Sequence, residues 1–211
     1  MKIEKDRIER RTMKIGIPEE VKAAEGEPFV NDKMIVEGYA VVFDQPQTYN
    51  FDDQTYTETI SRTALNGADM RRVVMRYNHN DTVFAMARVK NGSLMLTIDD
   101  FGLKIRAELI DTQSNRDLYR MIQDGLIDEM SFAFTVARGG DVWEYSDDFT
   151  NVTRTINQIE TVYDVSAVDT GFYENTSIYA RAFEGVDALK AEAETKKLEL
   201  EKARAIALAN A

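Results

Sequence analysis

The chain has 211 residues, 44% of them hydrophobic and 30% charged, with three prolines, no cysteine and a formal net charge of −11. That size and balance suit one globular domain with extensions and exclude a wholly disordered chain. The missing cysteine excludes a disulfide framework, a thiol nucleophile and thiolate metal sites. The acidic surplus lies in the middle of the chain, since residues 1–20 and 184–211 are nearly balanced in charge. An acidic domain repels phosphate backbones, so a protein partner is expected and nucleic acid is not. No apolar run reaches the length that spans a bilayer and four of the first six residues are charged, so neither a membrane segment nor a signal peptide is expected.

Residues 1–32 mix charges with scattered apolar positions, are punctuated by Gly26, Pro28, Asn31 and Asp32, and read as a loosely attached arm. Residues 34–43 read as a strand of β-formers interrupted by Gly38, followed by a long polar connection through Asp44, Gln45, Pro46 and the aromatic Tyr49, Phe51 and Tyr56. A second apolar run, 73–77, ends in the turn formers Asn78, His79, Asn80 and Asp81, which puts His79 at a strand–loop junction. Leu94, Leu96 and Ile98 alternate before Asp99-Asp100-Phe101-Gly102, and Leu103, Ile105, Ala107 and Leu109 alternate after it, which predicts a hairpin.

The period then changes. Leu118, Met121, Ile122 and Leu126 have helical spacing, with Ser114 as the cap, Asp117 in the first turn and Gly125 at the end. Residues 130–136, 142–145, 153–159 and 162–168 return to strand. The predicted class is α+β, mainly β: a twisted antiparallel sheet curled into a barrel, with a few packed helices. From Glu184 onward Ala, Glu, Lys and Leu dominate over a thin stripe of Leu189, Ala193 and Leu200, which predicts a helical tail, either plainly solvated or scaffold-like and partner-binding. The organisation expected is therefore an arm at 1–32, a domain at 33–183 and a C-terminal helix at 184–211.

Chemistry narrows on one residue first. His79 is the sole histidine, so a histidine metal cluster is excluded and any imidazole base must be this side chain; imidazole is the group whose ordinary pKa suits proton transfer near neutrality. By spacing alone the favoured reading is a surface histidine in an Asn/Asp-rich turn. Alternation in 130–136 sets Phe132, Phe134 and Val136 on one face and Ser131, Ala133 and Thr135 on the other, leaving a small open face along which an extended peptide could approach a hydroxyl. The duller reading is the solvated face of a sheet. Asp164 stands in an otherwise apolar run, where a carboxylate needs a partner: a histidine N–H, an arginine or a strand end, with Glu160 a nearby substitute for the same task.

In order along the chain, five blocks resemble the prohead (procapsid maturation) serine proteases of tailed bacteriophages, a family similar in fold to the herpesvirus assemblins. They are Val36-Glu37-Gly38-Tyr39-Ala40-Val41-Val42-Phe43, Tyr77-Asn78-His79-Asn80, Asp99-Asp100-Phe101-Gly102-Leu103, residues 125–134 around Met130-Ser131-Phe132, and Tyr163-Asp164-Val165-Ser166-Ala167-Val168. The chain departs from the family pattern at Ala133, at 84–88 and at 171–174, which bears on groove shape. The resemblance implies Ser131 as nucleophile, His79 as general base and Asp164 as the orienting acid, with no cofactor or metal. It further implies the scaffolding segment of the major capsid protein as substrate, self-cleavage in the terminal arms, self-association, and work inside the assembling procapsid in the host cytoplasm. Two other classes stand beside it: a protease-derived scaffolding protein without catalysis, and a β-barrel ligand-binding module, in which Ser131 and His79 would lie far apart.

Overall fold

The computed structural model describes residues 8–16, 33–51 and 54–169, together with 191, 194–199 and 202. The punctuation at 26–32, the block at 171–174 and nearly all of the expected C-terminal helix lie outside the described residues. The elements in chain order are β1 (Glu9–Gly16), β2 (Met34–Val42), β3 (Gln47–Phe51), β4 (Gln54–Ile60), β5 (Val74–Tyr77), β6 (Ala87–Arg88), β7 (Leu94–Ile98), β8 (Gly102–Leu109), α1 (Gln113–Gln123), β9 (Glu129–Val136), β10 (Asp141–Tyr145), β11 (Asn151–Ile156) and β12 (Ile159–Val168). The class is α+β and mainly β. Among the described residues no helix is long and apolar enough to cross a membrane.

Three differences from the sequence reading stand out. Residues 9–16, expected within the arm, form a strand paired antiparallel to β9 over six rungs, from Glu9 opposite Phe134 to Lys14 opposite Glu129. The supposed polar connection contains β3 and β4, whose Thr and Tyr residues are strand formers even though the segment is polar. Helix α1 is capped by Thr112, whose hydroxyl accepts the Asn115 N–H, not by Ser114.

The main sheet has the order β6-β5-β12-β9-β1-β2-β8-β7. It is not wholly antiparallel, because β5 and β12 run parallel; some eighty residues separate them, so no tight turn forces them to oppose. Nor is it a closed barrel. Its two ends, β6 and β7, are joined through the short 3₁₀ turn Val89–Asn91, but β6 is only two residues long and no ladder links the ends. The backbone N–H of Arg88 goes to the Ser93 hydroxyl at 2.9 Å. The second sheet has the order β10-β11-β4-β3.

The chain divides into two compact units. One comprises residues 1–46, 58–142 and 155–172 and holds the large core, in which Phe132 and Phe134 are fully buried and stacked 4.5 Å apart, each contributing about 2–3 kcal/mol by burial. Arg11 in this unit is ion-paired with the buried Glu58 and with Glu9, as a buried charge requires. The other unit comprises 47–57, 143–154 and 173–211, and its described part holds a small aromatic cluster in which Tyr56 stacks on Tyr49 and on Trp143.

The acidic turn between β7 and β8 has a structural explanation. Asp99 Oδ1 accepts the backbone N–H groups of Phe101 and Gly102 at 2.8 and 2.9 Å, while Tyr39 donates its hydroxyl to Oδ2 at 2.8 Å. The Gly102 bond, with Tyr39 behind it, holds the Asp99 carboxyl below the usual range. A Cβ on Gly102 would stand 1.9 Å from the carbonyl oxygen of Val41, so only glycine lets β8 begin so close to β2.

Candidate active site

Ser131 lies near the start of β9, flanked by β1 and β12. The β12 register sets Ser166 directly across from Ser131 and Asp164 across from Ala133, so all four side chains share one face. A register irregularity between Val162 and Asp164 sits beside this point; such bulges re-aim the residues next to them.

β5, running parallel to β12, delivers the histidine. Its last rung pairs Tyr77 with Ala167, and the next residue, Asn78, donates its N–H to the Ala167 carbonyl at 3.0 Å. Asn78 and His79 then both take left-handed backbone angles, φ 50° and 53°, and Asn80 N–H closes the turn on the Tyr77 carbonyl at 3.0 Å. Asparagine tolerates this conformation; histidine less so, at a cost of about 1 kcal/mol or more. The surroundings fix it. Asp169 takes the Tyr77 hydroxyl at 2.8 Å and the Asn78 amide at 3.1 Å, and Arg76 donates to the Asn80 carbonyl at 2.9 Å. Bonding to Asp169 also raises the Tyr77 phenol above its usual range, with burial adding to it.

The turn brings the imidazole between the two strand residues. His79 Nε2 lies 2.7 Å from Ser131 Oγ, and His79 Nδ1 lies 2.6 Å from Asp164 Oδ1. The three residues singled out in the sequence thus meet in one hydrogen-bonded line. Glu160, the alternative acid, is exposed on β12, and the Nδ1 partner is Asp164. The distance expected of a ligand-binding barrel, Ser131 far from His79, is not found.

One expectation about this face needs correction. The Ser131, Ala133 and Thr135 side of β9 is not open: Ser131 is 1% exposed and Asp164 9%. Both faces of β9 are covered, and alternation reports which residues share a face but not what lies on it. A residue passed over in the sequence, Ser166, also belongs to the cluster, donating its hydroxyl to Asp164 Oδ1 at 2.8 Å. Its position two residues after Asp164 on the same strand was the available signal. Among the described residues no group of three or more His, Asp or Glu side chains is arranged to hold a metal ion.

A line of serine hydroxyl, imidazole and carboxylate at 2.6–2.7 Å is what nucleophilic acyl transfer requires. The family comparison agrees in kind: the model of the caudovirus prohead serine protease family matches residues 19–190, most of the chain. The chain belongs to the caudovirus prohead serine proteases. This family member is accordingly placed among the serine hydrolases of phage capsid maturation, with the matched span running through β2 to β12 and thus through every residue of the cluster. No curated protein and no solved structure matches the chain.

Proposed function

We propose that the chain is a prohead maturation endopeptidase in which Ser131 is the nucleophile, His79 the general base and Asp164 the residue that orients the ring. The observation carrying this reading is the continuous hydrogen-bonded line from Ser131 through the chain's sole imidazole to Asp164. With the Nδ1 proton held by Asp164, Nε2 takes the Ser131 proton as Oγ attacks a peptide carbonyl; the imidazolium, balanced by the carboxylate, then protonates the departing amine. Water, deprotonated by the same nitrogen, hydrolyses the acyl-enzyme and returns the proton to Ser131.

Membership of the family supports a capsid-related substrate, and we take it to be the scaffolding segment of the major capsid protein, cut inside the closed procapsid in the host cytoplasm, with residues 33–183 together with β1 as the protease domain. The terminal segments outside β1, at 17–32 and 184–211, are the ones we assign to self-cleavage. Confinement raises the local concentration of substrate, so a modest turnover suffices. Co-expression with the cognate capsid protein tests the reading: wild type should yield the shortened capsid protein and Ser131→Ala only the full-length form. Shortening by the alanine variant would remove Ser131 from the role, and assembly without shortening in either case would favour the non-catalytic scaffold.

A further inference from the structure

Ser166 is fully buried, and its hydroxyl is tied to both ends of His79. Its Oγ donates to Asp164 Oδ1 at 2.8 Å, accepts the backbone N–H of His79 at 3.2 Å and lies 3.3 Å from His79 Nδ1. A hydroxyl has one proton and two lone pairs. Once the proton goes to the carboxylate, Oγ can only accept from His79, so it favours the ring form with hydrogen on Nδ1. That is the form which leaves Nε2 bare towards Ser131.

Asp164 alone could hold the same tautomer, but its carboxylate oxygen bonds only the ring and leaves the backbone N–H of His79 itself without that anchor. Ser166 supplies it, because its hydroxyl grips the main chain as well as the ring. His79 sits at φ 53°, a conformation that a non-glycine residue keeps only where its surroundings hold it. The hydrogen bond from His79 N–H to Ser166 is one of the contacts that do so, alongside the Asn78 and Asp169 bonds described above.

We propose that Ser166 is a positioning residue, which fixes both the left-handed main chain of His79 and the Nδ1–H form of its ring through one hydroxyl. The inference rests on the roles proposed above for Ser131, His79 and Asp164. Ser166 touches no reacting atom and acts through the histidine.

The test uses the full chain and exploits its single histidine, whose ring nitrogens give unambiguous NMR signals. In the wild type, the neutral ring is expected as one Nδ1–H form, and the His79 amide proton should be protected from exchange although it lies in a turn. In Ser166→Ala and in Ser166→Cys, which keeps the volume but is a poor hydrogen-bonding group, the ring should become a mixture of forms and the amide should exchange at least about tenfold faster. Labelling of Ser131 by a small fluorophosphonate should slow about tenfold in both variants. A folded cysteine variant with wild-type ring signals and labelling rate would reduce Ser166 to a space-filler and overturn the proposal. Should neither variant fold, an unprotected His79 amide in the wild type would overturn it equally. Because the ring signals are read without turnover, a wild type that never labels at Ser131 would defeat the nucleophile assignment while the grip of Ser166 on His79 is still judged by NMR.

Discussion

Asp164 has two hydrogen bonds on one carboxylate oxygen, from the His79 ring and from Ser166, and both need a side chain that accepts there and does not donate. Asparagine at this position would retain the shape but admit the other ring tautomer, in which Nε2 carries the hydrogen and cannot take the serine proton. Asp164→Asn is therefore expected to lower peptide turnover about 10⁴-fold with the melting temperature little changed, measured by steady-state cleavage beside a thermal melt. His79 was legible because it is the sole histidine, and Asp164 because a carboxylate amid apolar residues needs a partner. Their closeness in space was not, since a sequence separation of 85 carries no local signal that parallel pairing of β5 with β12 will close the gap. Ser166 escaped notice for a related reason: a small polar residue in a strand has many uses, and only its contacts select one.

At the scale of elements, strands with strong alternation were legible in position to within a residue or two, as with β7 and β8 on either side of the Asp99 turn. Closure of the sheet was not, because a period of two says nothing about whether the last strand finds the first. The β7–β8 turn gives a sharp test. In Gly102→Ala the new Cβ would meet the Val41 carbonyl oxygen at 1.9 Å, forcing β2 and β8 apart, and a loss of about 2–3 kcal/mol is expected from the denaturation midpoint.

A second test at this scale concerns Glu37 on β2, which faces Arg106 across the ladder and is also bonded to Lys104 at 3.1 Å. Burial acts to raise its carboxyl, but the hydrogen bonds and charges of Arg106 and Lys104 outweigh it and hold the group below its ordinary value of 4.5. A depressed folded value means that the stabilisation is complete above 4.5 and is lost as the pH falls through the lower folded value. Glu37→Gln should therefore cost about 1 kcal/mol near neutrality, a gap that closes on acidification, as thermal melts over a pH series would reveal.

For the molecule as a whole, the family match from 19 to 190 takes in the cluster but covers only the first seven residues of the C-terminal segment, 184–211, that the sequence predicts as a helix. If that segment directs the enzyme to the capsid and does not build the active site, removing residues 184–211 should leave cleavage of a free peptide within about twofold of wild type while reducing shortening of the co-expressed capsid protein. Loss of both would place the tail within the folded enzyme.

The claim on which the rest depends is that one hydroxyl is reactive. Treating the full-length protein with a biotinylated fluorophosphonate and mapping the modified peptide by mass spectrometry tests it directly. A single adduct at Ser131 is expected, abolished in His79→Ala and slowed in Asp164→Asn. An adduct at another serine, or one at Ser131 that forms equally fast without His79, would contradict it.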